Sequence, residues 1–259
     1  MPLTQRNPEA AACSILIVEH RDDIRAGLRE EIKKLGHEVT VVNERAEALA
    51  FENQTEFDLL VSDLTGDAAT DGEIVRSFKL AVTSHPGRRA TPALHDLIER
   101  TLSFKLRCLD AVDDLGRVRE KIDLELPSDL TLMNAVLEYL LGRVARLGLI
   151  EPEQSNLYVA LDEAFVNAVK HGNRHDPEKL LRVTAELSAR EAIFTVEDEG
   201  DGFNVREIPD PCDPANLFKS NGRGVLLIYN IMDEVEYSER GNKLKMVARP
   251  KPKALQNEN

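Results

Sequence analysis

Apolar and polar positions along the first quarter of the chain follow the pattern of an open α/β sheet. Ser14-Ile15-Leu16-Ile17-Val18-Glu19 is a short apolar run closed by an acid, as in a buried strand. Asp22 or Asp23 is placed to cap a helix through Leu35, with Ile24, Leu28, Ile32 and Leu35 on one face and Gly36 at its end. His37 to Val42 reads as a second strand, Arg45 to Asn53 as a short helix, and Phe57 to Ser62 as a third strand ending at Asp63. The sum is β-α-β-α-β with an acid at the carboxyl ends of strands one and three, where open α/β sheets place their sites.

The stretch HPGRRATP, with two prolines and a glycine, breaks this pattern. From Ala93 to about Val112, Leu94, Leu97, Ile98, Leu102, Leu106 and Leu109 recur at helical spacing. They predict a connecting helix whose stripe packs on another helix, in this chain or in a second copy. His95 within it reads as a solvated helical residue. Ile122 to Pro127 is strand-like, and Leu130 to Leu147 is a helix with Leu132, Val136, Leu140, Val144 and Leu147 on its apolar face. Glu151-Pro152-Glu153 opens a further long helix. Strands follow at Leu180–Leu187 and Ala192–Glu197, then a helix over Val225–Met232 and strands at Val235–Tyr237 and Lys243–Val247. The tail RPKPKALQNEN is polar.

Composition narrows the function classes. The 259 residues suffice for one large domain or two ordinary ones, and 31% are charged. No apolar run approaches the roughly 20 residues that span a bilayer, and no secretory signal is evident, so cytoplasmic residence is expected. A formal net charge of −13 argues against direct, non-specific nucleic-acid binding. Cys13, Cys108 and Cys212 are odd in number and widely spaced, which excludes a zinc or disulfide framework as the organising element.

The amino-terminal half resembles the first part of a response-regulator receiver domain. Asp63, in DLLVSDL, matches the phosphoacceptor position, and Glu19 is one of the two acids that hold magnesium in that family. His20 stands where the second acid would be, which weakens a hard-cation site. Lys79 to Ser84 is placed as the strand bearing the family's hydroxyl residue, yet only 20 positions separate Asp63 from Thr83. The resemblance implies a shortened or degenerate receiver.

The chemistry concentrates further on, in LYVALDEAFVNAVKHGN and the glycine clusters after it. Glu163, Asn167 and Lys170 or His171 fall on one helical face. An amide oxygen suits magnesium when phosphates and waters complete its octahedron, and a carboxylate one turn away can take a proton from an attacking hydroxyl. Phe194 to Asp198 is a strand that delivers Asp198 into the turn Glu199-Gly200-Asp201-Gly202. Gly222-Arg223-Gly224 precedes an apolar helix whose free amides can cradle phosphates.

In this order the three elements resemble the GHKL, or Bergerat-fold, ATP-binding superfamily, over roughly residues 121–249. Within it the chain is similar to the anti-sigma-factor serine/threonine kinases of partner-switching systems, whose helix reads E-A-x-x-N-A-x-x-H. The resemblance implies ATP and Mg2+ as cofactors, Glu163 as base and Asn167 as metal ligand. It also implies an ATP site made by Asn167, Lys170, His171, Asp198, Gly200, Gly202, Gly222, Arg223 and Gly224. The segment between Gly202 and Gly222 is a short lid containing three prolines, unlike a glycine-rich flap.

The expected organisation is a receiver-like unit over 12–85 with a flavodoxin-like parallel sheet, a connecting helix over 86–120, a two-layer α/β sandwich of the histidine-kinase-type ATPase fold over 121–249, and a tail over 250–259. The expected function is an anti-sigma-type serine/threonine kinase in bacterial signal transduction. Its partners would be an antagonist protein, a sigma factor, or both, with no membrane and with a homodimer as the assembly. The alternatives are a non-catalytic ATP-dependent binding module and, second, a sensor histidine kinase.

Overall fold

A computed structural model of the chain describes residues 12–43, 57–65, 74–83, 91–108, 115–149, 156–203 and 223–250. The expected helix over Arg45–Asn53, Cys212, Gly222 and the proline-containing lid lie outside the described residues.

The amino-terminal strands β1 (Ser14–Glu19), β2 (Glu38–Val42) and β3 (Leu59–Thr65) pair in parallel in the order β2-β1-β3. Successive side chains on a strand face opposite ways, and here both ways are dry. Ile15 and Ile17 join the main core, while Leu16 and Val18 meet Val42 and Phe57 in a small second cluster. A continuous apolar run is the sequence consequence of burial on two faces. Helix α1 (Asp22–Lys34) buries Ile24, Leu28 and Ile32. Its N-cap is Arg21, without a side-chain cap bond, so Asp22 and Asp23 sit in the first turn, where they favour the helix dipole but do not cap.

Beyond β3 the parallel pattern stops. Strand β4 (Ile74–Val82) starts earlier than the expected Lys79 and runs antiparallel to β3. Thr83, at its end, therefore lies beside the start of β3, where its hydroxyl donates to the Phe57 carbonyl. It is at the opposite end of the strand from Asp63, so it does not serve as the hydroxyl partner of that acid.

From β4 the chain crosses over through α2 (Pro92–Arg107) to β5 (Val118–Pro127), which pairs with β4 in parallel. Pro92 at the first turn and the Thr91 hydroxyl accepting from the Leu94 amide start α2. Its stripe, Leu94, Leu97, Ile98 and Leu102, is buried in the main core, against α1 and against α3 (Met133–Arg146). The partner helix is thus within this chain, and the stripe is no longer a ground for a homodimer.

Antiparallel pairs then carry the sheet through β6 (Leu180–Leu187), β7 (Ala192–Asp198), β9 (Lys243–Ala248) and β8 (Glu234–Tyr237). The result is one nine-stranded sheet in the order β2-β1-β3-β4-β5-β6-β7-β9-β8. Helices α4 (Leu157–Asn167) and α5 (Arg223–Ile231) pack on each other at the end of the sheet formed by β7, β9 and β8. One core cluster runs from Cys13 to Ala248.

Candidate functional site

The amide of Asn173 bonds to the carbonyl of Ala168, five residues back. With this, α4 passes into a π turn over Ala168–Gly172. Such wide turns gather at functional sites. This one has a local consequence. Projecting Lys170 and His171 as a regular helix puts both beside Asn167, whereas in the structure His171 lines the cavity and Lys170 is exposed and does not.

That cavity, about 310 Å³, is lined by Asn167, His171, Asp198, Gly202, Phe203 and Tyr237, among others. The size is within the range of small-molecule sites. The Asn167 amide nitrogen is buried and has no hydrogen-bond partner among the described residues. A buried polar atom left unmatched in a cavity wall calls for a ligand or water. Its oxygen and nitrogen are interchangeable by rotation of the amide.

Asp198, at the end of β7, is buried, and its Oδ1 accepts the Gly200 amide at 2.8 Å. Burial pushes its pKa above the ordinary aspartate value. The Gly200 amide, Lys179 and Arg240 pull it back, and Glu197 pushes it up again. The carboxylate is therefore held dry, and a hydrogen-bond donor entering the cavity finds a strong acceptor.

The glycine turn after Asp198 is zipped to the β8–β9 turn. The Asp198 amide donates to the Asn242 carbonyl at 3.0 Å and the Phe203 amide to the Arg240 carbonyl at 3.1 Å. The Asn242 side chain donates to the Asp198 carbonyl at 2.9 Å, and Arg240 to the Gly200 carbonyl at 2.9 Å. Gly202 and Gly241 have φ of +76° and +79°, and a Cβ on either would overlap the backbone of Arg240 or Phe203. Both must be glycine for the two turns to meet. Asn173, 1% exposed, ties the π turn to the same place: its Nδ2 donates to the Leu180 carbonyl at 3.0 Å and its Oδ1 accepts the Glu199 amide at 2.8 Å.

Glu163 is beside the cavity but not part of its lining; its carboxylate packs against Gly224 in the first turn of α5. Arg223 opens that helix. Asn173, Arg240, Asn242, Phe203 and Tyr237 are not singled out by sequence. The hairpin signal Gly241-Asn242 between two strands was available, and it marks the turn that forms the wall.

At the other end of the sheet, Glu19 and Asp63 are in register on adjacent strands. Lys105 of α2, 4% exposed, donates to Glu19 at 2.9 Å and also pairs with Asp63. His20, in the place of a second acid, lies 3.5 Å from Glu19. His95 is not solvated as expected. It is mostly buried, with Nδ1 at 3.5 Å from Asp129 and Nε2 without a partner among the described residues. Cys108 is a half-buried free thiol. Among the described residues no group of acids, histidines and cysteines is clustered to hold a metal unaided, and no helix is long and apolar enough to cross a membrane.

Comparison with known proteins agrees with the geometry of the second half. The sequence profile of the histidine kinase-like ATPase domain matches residues 126–248. The serine-protein kinase RsbW of Staphylococcus epidermidis is 24% identical over 147 residues, 54% of this chain and 92% of that protein. The anti-sigma F factor of Clostridium perfringens strain SM101 is 30% identical over 111 residues, 42% of this chain and 79% of that protein. The RsbW of Bacillus mycoides is 25% identical over 123 residues, covering 45% and 76%. With its cavity between α4, the Asp198 turn and the β8–β9 hairpin, and with these relatives, the chain belongs to the histidine kinase-like ATPase family.

Proposed function

We propose that this protein is an ATP-dependent serine/threonine kinase of the anti-sigma type, acting in bacterial signal transduction. The observation that carries the reading is on α4: Glu163 stands one turn before Asn167, whose buried amide is unmatched at the wall of a cavity that also exposes Asp198. This donor set fits an adenine nucleotide with magnesium. Asp198 accepts from the exocyclic amine of the base, and Gly200 and Gly202 let the backbone close around it. Asn167 presents its amide oxygen to the ion, a hard cation that prefers oxygen ligands. When bound, the ion neutralises charge on the phosphate oxygens. His171, at the cavity wall, faces the phosphates. Glu163 takes the proton of the attacking serine hydroxyl.

The likeness to RsbW and to anti-sigma F factors supports protein partners: an antagonist that receives the phosphate, and a sigma factor held or released according to its state. A homodimer and cytoplasmic residence belong to the same reading. Incubated with ATP, magnesium and candidate antagonist proteins, the purified chain should produce phosphoserine, and Glu163→Ala should abolish it with ATP affinity kept. Transfer undiminished in that variant would remove the mechanism. Tight ATP binding with neither transfer nor hydrolysis in the unmodified chain would leave the alternative, a non-catalytic ATP-dependent binding module.

Residues 12–85 we read as a degenerate receiver-like unit. Lys105 lies where an incoming cation or phosphate would have to sit, between Glu19 and Asp63, so the acids serve the fold.

A further inference from the structure

We propose that Gly224 is the seat of the catalytic base: the absent side chain leaves the space that the Glu163 carboxylate fills, and this fixes the direction in which the base points. The inference rests on the kinase reading and adds a positioning residue to it. A glycine inside a helix is disfavoured relative to alanine unless packing or a left-handed backbone requires it. Gly224 lies in the first turn of α5 and is outside the left-handed region, so its backbone does not require glycine. Packing does. The three atoms nearest to a Cβ built at 224 are Oε1, Cδ and Cγ of Glu163, and the Cβ would overlap them.

The neighbour distinguishes this glycine from Gly202 and Gly241 of the pocket. At Gly202 and Gly241 a Cβ would meet backbone, which cannot give way. At Gly224 it would meet the far end of a flexible side chain, which swings aside. A methyl group there displaces the carboxylate and little else.

Tyr237 of β8 is a second neighbour, within electrostatic reach of Glu163. That ring lines the cavity and meets Phe203 edge-on, with centroids 5.3 Å apart. Burial, the neighbouring Tyr229 and the charge of Glu163 all raise the pKa of its hydroxyl, which keeps it protonated and within electrostatic reach of the base. The base is held against the α5 backbone at Gly224, and that contact sets where its carboxylate lies. Misplacing a catalytic group by about 1 Å is enough to cost about 100-fold in rate.

The test uses the full chain in five forms: unmodified, Gly224→Ala, Glu163→Ala, Glu163→Asp and the double variant of Gly224→Ala with Glu163→Asp. Calorimetry reads Mg·ATP affinity, thermal melting reads the fold, and phosphate released or transferred from ATP reads turnover. Gly224→Ala should melt at the same temperature or higher and bind ATP within about threefold of the unmodified chain, with turnover down about 100-fold. The double variant should be no slower than Glu163→Asp alone, because the shorter acid has already vacated the space that the methyl group takes. Full turnover in Gly224→Ala overturns the proposal. So does a loss of ATP affinity of about tenfold or more, which would make Gly224 a phosphate contact. Losses that simply multiply in the double variant also overturn it. Glu163→Ala at full speed, or no turnover in the unmodified chain, sinks the kinase reading itself. Glu163→Ala slow with Gly224→Ala fast sinks only the seat.

Discussion

Replacing Asp198 by asparagine separates what this side chain does for a nucleotide from what it does to the fold, because the two effects have opposite signs. Burial is the main reason that the Asp198 pKa is raised. A carboxyl with a raised folded-state pKa binds more protons folded than unfolded. Its contribution to stability is therefore largest below the unfolded pKa and is lost as pH rises through the folded one. At neutral pH the charged Asp198 is a net burden on the fold. Asparagine keeps an oxygen for the Gly200 amide, now accepted at 2.8 Å, and carries no charge. Asp198→Asn should leave stability unchanged or raise it by up to about 1 kcal/mol. Binding should move the other way. A hydrogen bond to a charged acceptor contributes about 1.5–3 kcal/mol, so ATP affinity should fall by about 10- to 150-fold. Urea unfolding and calorimetry at one pH measure both. Acidification should reproduce the variant: affinity of the unmodified chain falls as pH drops through the raised Asp198 pKa, while Asp198→Asn stays flat over that range. Equal ATP affinity in the two proteins, or parallel pH profiles, would refute the assignment of Asp198 to the base.

Two further outcomes test the parts that hold the site in place. Lys105→Met should destabilise the chain by about 3–5 kcal/mol in denaturant unfolding, since it leaves Glu19 and Asp63 without their shared cation; the same reading expects no magnesium-dependent beryllofluoride adduct at Asp63 of the unmodified protein by mass spectrometry. Asn173→Ala strips partners from the Leu180 carbonyl and the Glu199 amide, at about 1–3 kcal/mol each, and should weaken ATP binding in calorimetry because the Asp198 turn loses its tie to the π turn; an unchanged unfolding midpoint would contradict this.

The residues on which the proposed site rests were legible because their types are restrictive: an acid and an amide one turn apart, an aspartate entering a glycine turn, glycines before an apolar helix. The frame around them was less so. β1 and β3 announce themselves as continuous apolar runs because both their faces are buried. β4 begins Ile74-Val75-Arg76-Ser77, half-buried throughout, and nothing in a strand's composition states which way it will run. The main-chain wall made by Arg240, Gly241 and Asn242 is a set of carbonyls and amides, which side-chain reasoning does not register. Lys105 was open to discovery. It falls at helical spacing with Leu94, Ile98, Thr101 and Leu102, on the buried face, and a lysine there requires acids opposite. Lys170 does not line the cavity for a local reason, the π turn, which rotates the residues after Asn167 out of the regular helical projection.

The relatives align with only about half of this chain, and the rest is built into the same sheet. β4 lies along β5 from Ile74 beside Val118 to Ala81 beside Glu125, so β5, whose last residues begin the segment matched by the ATPase family, is not an edge. Phe78 of β4 meets Tyr139 of α3 with ring centroids 5.2 Å apart. Leu106 of α2 occupies the space that a side chain at Gly142 of α3 would need. Arg143 of α3 makes two bonds of 2.6 and 2.7 Å to Glu120, buried on β5. Helix α3 is thus gripped by the amino-terminal layer on one side and packs against α4, with Glu163 and Asn167, on the other. A packed interior transmits displacement because it has no slack. The Lys105 cluster is therefore two helix contacts away from the candidate site, and the amino-terminal layer is part of the support of the second half, not a tethered neighbour.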